Sequence, residues 1–203
     1  MSSFDEDFLI GCRVMDTFVE VWDLKTASIK APVVWSSDVG YRNTIKCSSV
    51  LFMKPFAFIG KSNGRCDIWN VTLNTRIRSL VHDVAVASIF LTIKKILVLN
   101  CHILTLTQRG KIYVWDKAKC LDSQDKSICL PVWTSSSSVS GNVICDLYAD
   151  ASRLVCLESN ARDGSRWLVV KDMWHCYQGY QVQDKRKAEE QNKFEKRKLS
   201  LLC

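Results

Sequence analysis

Short runs in which apolar and polar residues alternate cover most of this chain, and turn-forming residues separate the runs. In one run, residues 110–116, apolar and polar residues alternate and the run ends in Trp-Asp. Related sequences occur at residues 19–24 and 64–71. The tryptophans of the three copies stand at positions 22, 69 and 115, in steps of 47 and 46 residues. Alternation with a period of two indicates β-strands, and a repeat of this length is typical of four-stranded blades. The pattern therefore predicts an all-β chain of β-propeller-type blades, each made of four antiparallel strands.

The segments with strand-like alternation divide into four units, at residues 8–36, 43–82, 84–133 and 141–181. The second unit has the clearest boundaries, because Asn63-Gly64 between two apolar runs is a strong hairpin signal. In the third unit we expect strands at 84–91 and 127–133, and a long second strand region from Ile96 to Thr107 with a bulge or bend near residues 100–102. In the fourth unit Lys171-Asp172 stands where Trp-Asp is expected.

The first unit is predicted to lack its innermost strand. Residues 1–7 are interpreted as an acidic leader that is too short and too charged to form this strand. A blade is apolar on both faces, so an open stack leaves one apolar face at each end. We therefore expect an incomplete, curved ring that dimerises, joins a second propeller chain, or is the truncated product of a longer gene.

Composition places the chain among intracellular globular proteins. It has 203 residues, 47% of them hydrophobic, and no apolar run reaches the ~18 residues of a membrane span. The acidic N-terminus is unlike a signal peptide, so we expect a cytoplasmic or nuclear location without membrane contact. Ten scattered cysteines predict buried, reduced thiols, because their spacing suits neither a disulfide framework nor a zinc site.

The turns before the tryptophans carry a recognisable pattern. The chain resembles the WD-repeat β-propeller family over about residues 8–181, since that family places an Asp-Gly turn shortly before each Trp. The turn-acid position is held here by Asp16, Asn63 and Arg109, and the glycine position by Gly64 and Gly110. The resemblance implies a propeller fold with divergent repeats.

The resemblance also suggests a role for one histidine. In the family, a His ahead of a unit, a Ser or Thr in its second strand and the Trp form a hydrogen-bonded set that fixes the strands of a blade. His82 matches that histidine, with Thr105 or Thr107 and Trp115 as its expected companions. A structural role is favoured over catalysis, because no nucleophile motif accompanies His82.

The other repeat positions have structural explanations as well. The tryptophans are expected to pack between strands. The polar residues that follow them are expected to accept hydrogen bonds in turns. These positions are Trp22, Trp69 and Trp115, followed by Asp23, Asn70 and Asp116, with Asp172 in the fourth unit. No phosphate loop, carboxylate pair or triad is visible. We therefore expect no catalysis, no cofactor and no metal.

The last segment, residues 182–203, changes composition abruptly. Between Asp184 and Lys198 it has seven basic and four acidic residues, so it supplies +3 of the net charge of +7. Two clusters carry most of the basic charge: Lys185, Arg186, Lys187 and Lys196, Arg197, Lys198. We expect a solvated, partly helical tail, with a nuclear-import signal and a contact to nucleic acid as alternatives.

The predicted function is a non-enzymatic scaffold for protein–protein interactions, part of a multiprotein complex. A propeller uses its core residues to stack blades and leaves its loops free for binding. Four residues in predicted turns would share one mildly basic face suited to an acidic partner: Arg42, Asn63, Arg109 and Arg162. The alternatives are a substrate-recognition arm of a ubiquitin ligase of the F-box/WD type, and a nuclear or nucleolar RNA-associated protein that uses its tail.

Overall fold

The computed structural model describes residues 2–4, 8–11, 18–34, 45–82, 91–122, 129–137, 139–150 and 152–172. These residues form four antiparallel sheets, each built from strands that are consecutive in the chain. The all-β, blade-like architecture predicted from the alternating pattern is confirmed. The predicted tail at 182–203, with both basic clusters, lies outside the described residues, as do Arg42, Asp16 and Thr17.

The first sheet corrects one prediction. Its four strands follow chain order: β1 (Ser2–Phe4), β2 (Phe8–Gly11), β3 (Phe18–Asp23) and β4 (Ser28–Val34). β1 pairs with β2, with Ser2 opposite Gly11 and Phe4 opposite Leu9. The expectation that residues 1–7 form no strand was therefore wrong. Three residues of backbone are enough to pair with an adjacent edge, and none of Ser2, Ser3 and Phe4 is acidic.

The second sheet agrees closely with the sequence pattern. Its strands are β5 (Cys47–Met53), β6 (Phe56–Lys61), β7 (Arg65–Asn70) and β8 (Thr75–Val81), paired in that order. The predicted Asn63-Gly64 turn connects β6 to β7. Gly64 has a φ of +80°, a left-handed conformation that glycine adopts without steric cost.

The third sheet differs from the prediction. Its strands are β9 (Ile93–Val98), β10 (His102–Thr107), β11 (Ile112–Asp116) and β12 (Trp133–Ser135). The bulge or bend predicted within the region 96–107 is a tight turn between two strands, in which Leu99 N donates to His102 O. The last strand begins at Trp133, where the predicted strand 127–133 ended. Residues 84–90 of the predicted first strand lie outside the described residues, and Leu91 is in no strand.

A short helix, α1 (Lys117–Leu121), follows β11 and was not predicted. Asp116 caps its N-terminus by accepting a hydrogen bond from Lys119 N at 3.0 Å. The alternating strand pattern ends at Asp116, so the sequence signal for five helical residues was too short to recognise. Within the described ranges no helix is long and apolar enough to cross a membrane.

The fourth sheet has three described strands, β13 (Asn142–Ala149), β14 (Arg153–Asn160) and β15 (Arg166–Asp172). They match the strands predicted in this unit. The residues that would supply its fourth strand, 173–181, are outside the described residues.

The sheets pack face against face in chain order. We call the face of a sheet that looks toward the preceding sheet its leading face, and the opposite face its trailing face. Three hydrophobic clusters fill the three successive junctions. In the junction between the second and third sheets, Phe58 and Ile68 of the trailing face meet Ile103 and Trp115 of the leading face. This stacking of sheets on both faces is the packing expected of propeller blades.

Candidate interaction face

The turns that join the second and third strands of each sheet lie at one end of the stack. Thr92 connects two of them, because its Oγ1 donates to Ser62 O at 3.1 Å and its carbonyl accepts from Gln108 N at 2.7 Å. The third such turn lies at the same end, because Gly110 packs against Val143 and Ile144 at the start of the fourth sheet, and Ala161 N donates to the carbonyl of the neighbouring Gly141. We call this end, with turns 62–64, 108–110 and 161–163, the turn face.

Two glycines allow the sheets to approach each other closely at the turn face. A Cβ on Gly64 would lie 2.6 Å from Leu91 Cβ. A Cβ on Gly110, whose φ is +74°, would lie 2.5 Å from Ile144 N of the following sheet. Glycine at the repeat position therefore permits both the left-handed turn and the contact with the next sheet.

The described residues of the turn face carry more basic than acidic side chains. Arg109 and Arg162 are exposed, and Asn63 is half-buried with its Oδ1 accepting from Arg65 N at 3.2 Å. The structure thus brings these three predicted residues to one end of the molecule. Asp163 is an acid on the same face, and hydrogen bonds from the side chain and backbone of Ser165 hold its pKa below its ordinary value.

Asp23 and Asn70, which end the third strands of the first two sheets, accept turn hydrogen bonds, as predicted. Asp23 Oδ1 accepts from Lys25 N at 2.9 Å and from Thr26 N at 3.2 Å. Asn70 Oδ1 accepts from Leu73 N at 3.1 Å. These turns lie at the end of the stack opposite the turn face, since antiparallel strands place successive connections at alternate ends. Asp172 ends β15 opposite Arg153.

The three repeat tryptophans are not equivalent. Trp115 is fully buried, whereas Trp22 and Trp69 are only half-buried. Trp69 packs at the edge of the cluster between the first and second sheets. The prediction that all three pack between strands is accurate for Trp115 and too strong for Trp22 and Trp69.

His82 joins the second sheet to the third through the predicted residues. Its Nε2 lies 2.6 Å from Thr105 Oγ1, which also accepts from Trp115 Nε1 at 3.0 Å. The imidazole contacts Trp115 and Tyr113 edge-on, with ring centroids 5.1 Å and 4.7 Å apart. Of the two threonines considered, Thr105 is the companion. Thr107 instead accepts a hydrogen bond from Lys111 N and donates one to Lys111 O.

Burial sets the charge state of His82. Desolvation lowers its pKa to about 4, while backbone hydrogen bonds act weakly in the opposite direction. The imidazole is therefore neutral at physiological pH, which suits a hydrogen-bonding role within an apolar junction.

Sequence reasoning missed a buried ion pair between the first and second sheets. Asp67 is fully buried, and its Oδ2 lies 2.5 Å from Lys61 Nζ. Ser79 Oγ donates to the other carboxylate oxygen. A signal was present, because Asp67 lies two residues before Trp69 and thus on the same strand face. A charge at such a position needs a buried partner, which the one-dimensional pattern does not show.

A second buried acid lies between the third and fourth sheets. Glu158 is fully buried and accepts a hydrogen bond from Ser137 Oγ at 2.6 Å. Lys171 Nζ donates to Ser135 Oγ and Ser136 O, each at 3.1 Å. These contacts join β14 and β15 to the segment that follows β12.

The described cysteines are free thiols, and five of the seven are buried. The Sγ atoms of Cys120 and Cys129 lie 3.0 Å apart in the junction between the second and third sheets. The hydrogen bond with Cys129, together with burial, raises the pKa of the Cys120 thiol. No group of three or more His, Cys, Asp or Glu residues in the described part of the chain is placed to hold a metal ion.

Comparisons with known proteins identify the fold alone. No protein-family model and no curated protein match the chain. Among solved structures, the chain is similar to a chain in the crystal structure of the mitotic checkpoint complex, with 14% identity and a TM-score of 0.57 over 84% of this chain and 48% of that one. It is also similar to hydrazine synthase of Kuenenia stuttgartiensis, with 12% identity and a TM-score of 0.63 over 86% of this chain and 46% of that one.

A third similar structure is a designed protein. The computationally designed Ika4 protein is 16% identical, with a TM-score of 0.54 over 83% of this chain and 88% of that one. This chain therefore spans about half the length of the two natural chains and most of the length of Ika4.

Proposed function

We propose that this chain is a divergent WD-repeat protein that acts as a non-enzymatic scaffold for protein–protein interactions. The observation that carries the proposal is the turn face, where Thr92 links the turns of the second and third sheets by hydrogen bonds and where Arg109 and Arg162 are exposed. Loops held by a rigid scaffold are a common location of binding sites. A basic face of this kind attracts an acidic protein surface.

Two features support the assignment to the WD-repeat family. His82, Thr105 and Trp115 form the hydrogen-bonded set that the family resemblance implies. Glycine with positive φ occupies the expected turn position in the second and third sheets. Similarity to a chain of the mitotic checkpoint complex is compatible with membership of a multiprotein complex. At 14% identity it supports the fold and not a particular partner.

The test is an affinity pull-down with the full chain, followed by quantitative mass spectrometry. Arg109→Glu combined with Arg162→Glu reverses the charge of the turn face. Lys25→Glu combined with Lys119→Glu is the matched control, because both lysines are exposed at the opposite end. We expect bound proteins to be lost with the arginine variant, retained with the lysine variant and weakened by salt. Equal losses with both variants would contradict a binding role for the turn face.

The two alternative functions predict different partners. A substrate-recognition arm of a ubiquitin ligase would retain ligase subunits in the same pull-down. An RNA-associated protein would retain RNA through its basic tail, so a chain without residues 183–203 would lose RNA but keep its protein partners. Loss of the protein partners along with the RNA would argue that the tail, and not the turn face, is the protein-binding element.

A further inference from the structure

The trailing face of the fourth sheet carries exposed apolar side chains. Leu168 is 74% exposed, Val170 62% and Tyr148 66%. The equivalent positions of the third sheet, Ile112 and Val114, are no more than 2% exposed because the fourth sheet covers them. The fourth sheet therefore presents to solvent the kind of surface that each earlier sheet uses to bind its successor. A contiguous apolar patch of this kind is typical of an interface.

Every junction in the molecule pairs one trailing face with one leading face. At each of the three junctions, apolar residues of the two faces form one cluster. Among the described residues, no sheet packs on the leading face of the first sheet, which carries the cross-strand pair Leu9 and Trp22, both half-buried. No hydrophobic cluster of described residues joins the first sheet to the fourth. One chain thus has one open face of each kind.

We propose that the trailing face of the fourth sheet binds the leading face of the first sheet of a second copy of this chain. Two copies placed head to tail satisfy both open faces of both chains, and a two-fold axis closes them into a ring of eight sheets. The inference is independent of any role of the turn face.

Charge at the new junction is complementary. On the leading face of the first sheet, Glu20 lies two residues before Trp22, the position that Asp67 holds in the second sheet. On the trailing face of the fourth sheet, Arg166 is exposed and pairs with Ser159 at the end next to the turn face. Glu20 lies opposite Gly11, at the corresponding end of its own sheet. The proposed contact therefore brings Glu20 and Arg166 to the same height in the stack.

Size-exclusion chromatography with light scattering tests the proposal on the full chain. The wild type is expected at twice the 23.2 kDa mass of one chain. Leu168→Glu is expected to give a folded monomer, because the side chain is largely exposed within one chain. Leu73→Glu is the matched control, since Leu73 is 66% exposed in the turn between β7 and β8, away from the open faces. It should remain a dimer.

The charge pair provides a second arm. Glu20→Arg alone and Arg166→Glu alone should each weaken the dimer, and the two changes together should restore it, as measured by the dissociation constant. Circular dichroism melts establish that each variant is folded. A wild type at monomer mass, an assembly of more than two chains, or equal dissociation by Leu73→Glu and Leu168→Glu would overturn the proposal.

Discussion

The third and fourth sheets have the same alternation of apolar residues but different surroundings. In the third sheet, Trp115 points toward the second sheet and Val114 toward the fourth, and both are buried. In the fourth sheet, Val169 points toward the third sheet while Leu168 and Val170 on the other face are exposed. Alternation therefore determines which residues share a face, and the neighbouring sheet determines whether that face is buried. Substitutions in the two sheets measure this difference.

The largest effect is expected for tryptophan substitutions. Trp115→Ala should lower the free energy of unfolding by about 3–5 kcal/mol, because it opens a cavity and leaves Thr105 without one of its hydrogen bonds. Trp167→Ala in β15 should cost about 1 kcal/mol, since Trp167 is 44% exposed. Urea denaturation of both variants is the measurement. Similar losses would mean that the two sheets are packed alike.

The pH dependence of stability should be dominated by the junction between the second and third sheets. Because the pKa of His82 falls from 6.5 in the unfolded chain to about 4 in the folded one, the unfolded state binds more protons between these values. Stability from neutral His82 is thus fully present above pH 6.5 and is lost as the pH falls toward 4. The expected loss is about 3 kcal/mol.

Comparison with His82→Gln isolates this effect. The variant keeps a hydrogen-bonding side chain but has no titrating group, so its free energy of unfolding should change less between pH 7 and pH 4. Urea denaturation across this range provides the measurement. Parallel pH profiles for the wild type and the variant would show that His82 is accessible to protons in the folded chain.

Two glycines with positive φ, each shortly before the third strand of its sheet, provide a steric comparison. Gly110 and Gly164 have φ values of +74° and +71°, so alanine at either position incurs backbone strain of about 1 kcal/mol. A Cβ on Gly110 meets the backbone of Ile144 in the next sheet, whereas a Cβ on Gly164 meets nothing within 4 Å. Gly110→Ala should therefore destabilise the fold by about 1–3 kcal/mol more than Gly164→Ala. Thermal melts of the two variants measure this difference. Equal shifts in melting temperature would contradict a close contact between Gly110 and the fourth sheet.

The smallest effect is expected for the ion pair that joins the third sheet to the fourth. Lys95 Nζ lies 2.7 Å from Asp146 Oδ1, and both side chains are well exposed. Asp146→Asn should cost no more than about 1 kcal/mol, and this cost should vanish in high salt. Melting temperatures at low and high salt check it. A loss that persists in salt would indicate that the pair is shielded from solvent.

Local pattern and tertiary pairing explain which predictions succeeded. The second sheet was predictable because the alternation of apolar and polar residues, the Asn63-Gly64 turn and the length of the unit all indicate the same hairpins. β1 was not, since three residues carry no periodic signal until β2 offers an edge for pairing. The turn at 99–101 was predicted only as a bulge or bend, because Asn100 alone interrupts the apolar residues 96–101.

Part of the candidate site could also be predicted from the sequence. His82 and Trp115 could be placed from the repeat, and Asn63, Arg109 and Arg162 lie together because their turns occupy one end of the stack. Asp67 and Glu158 could not be assigned partners, because Lys61 and Ser137 reach them only through packing between strands.

Hydrogen–deuterium exchange tests most directly the claim that the third sheet is covered on both faces and the fourth on one. Mass spectrometry would follow peptides spanning β10–β11 and β15 at a dilute and at a high chain concentration. We predict slow exchange for β10–β11 at both concentrations, and fast exchange for β15 that slows when the chain is concentrated. Exchange in β15 that is as slow as in β11 in the dilute sample would contradict the account.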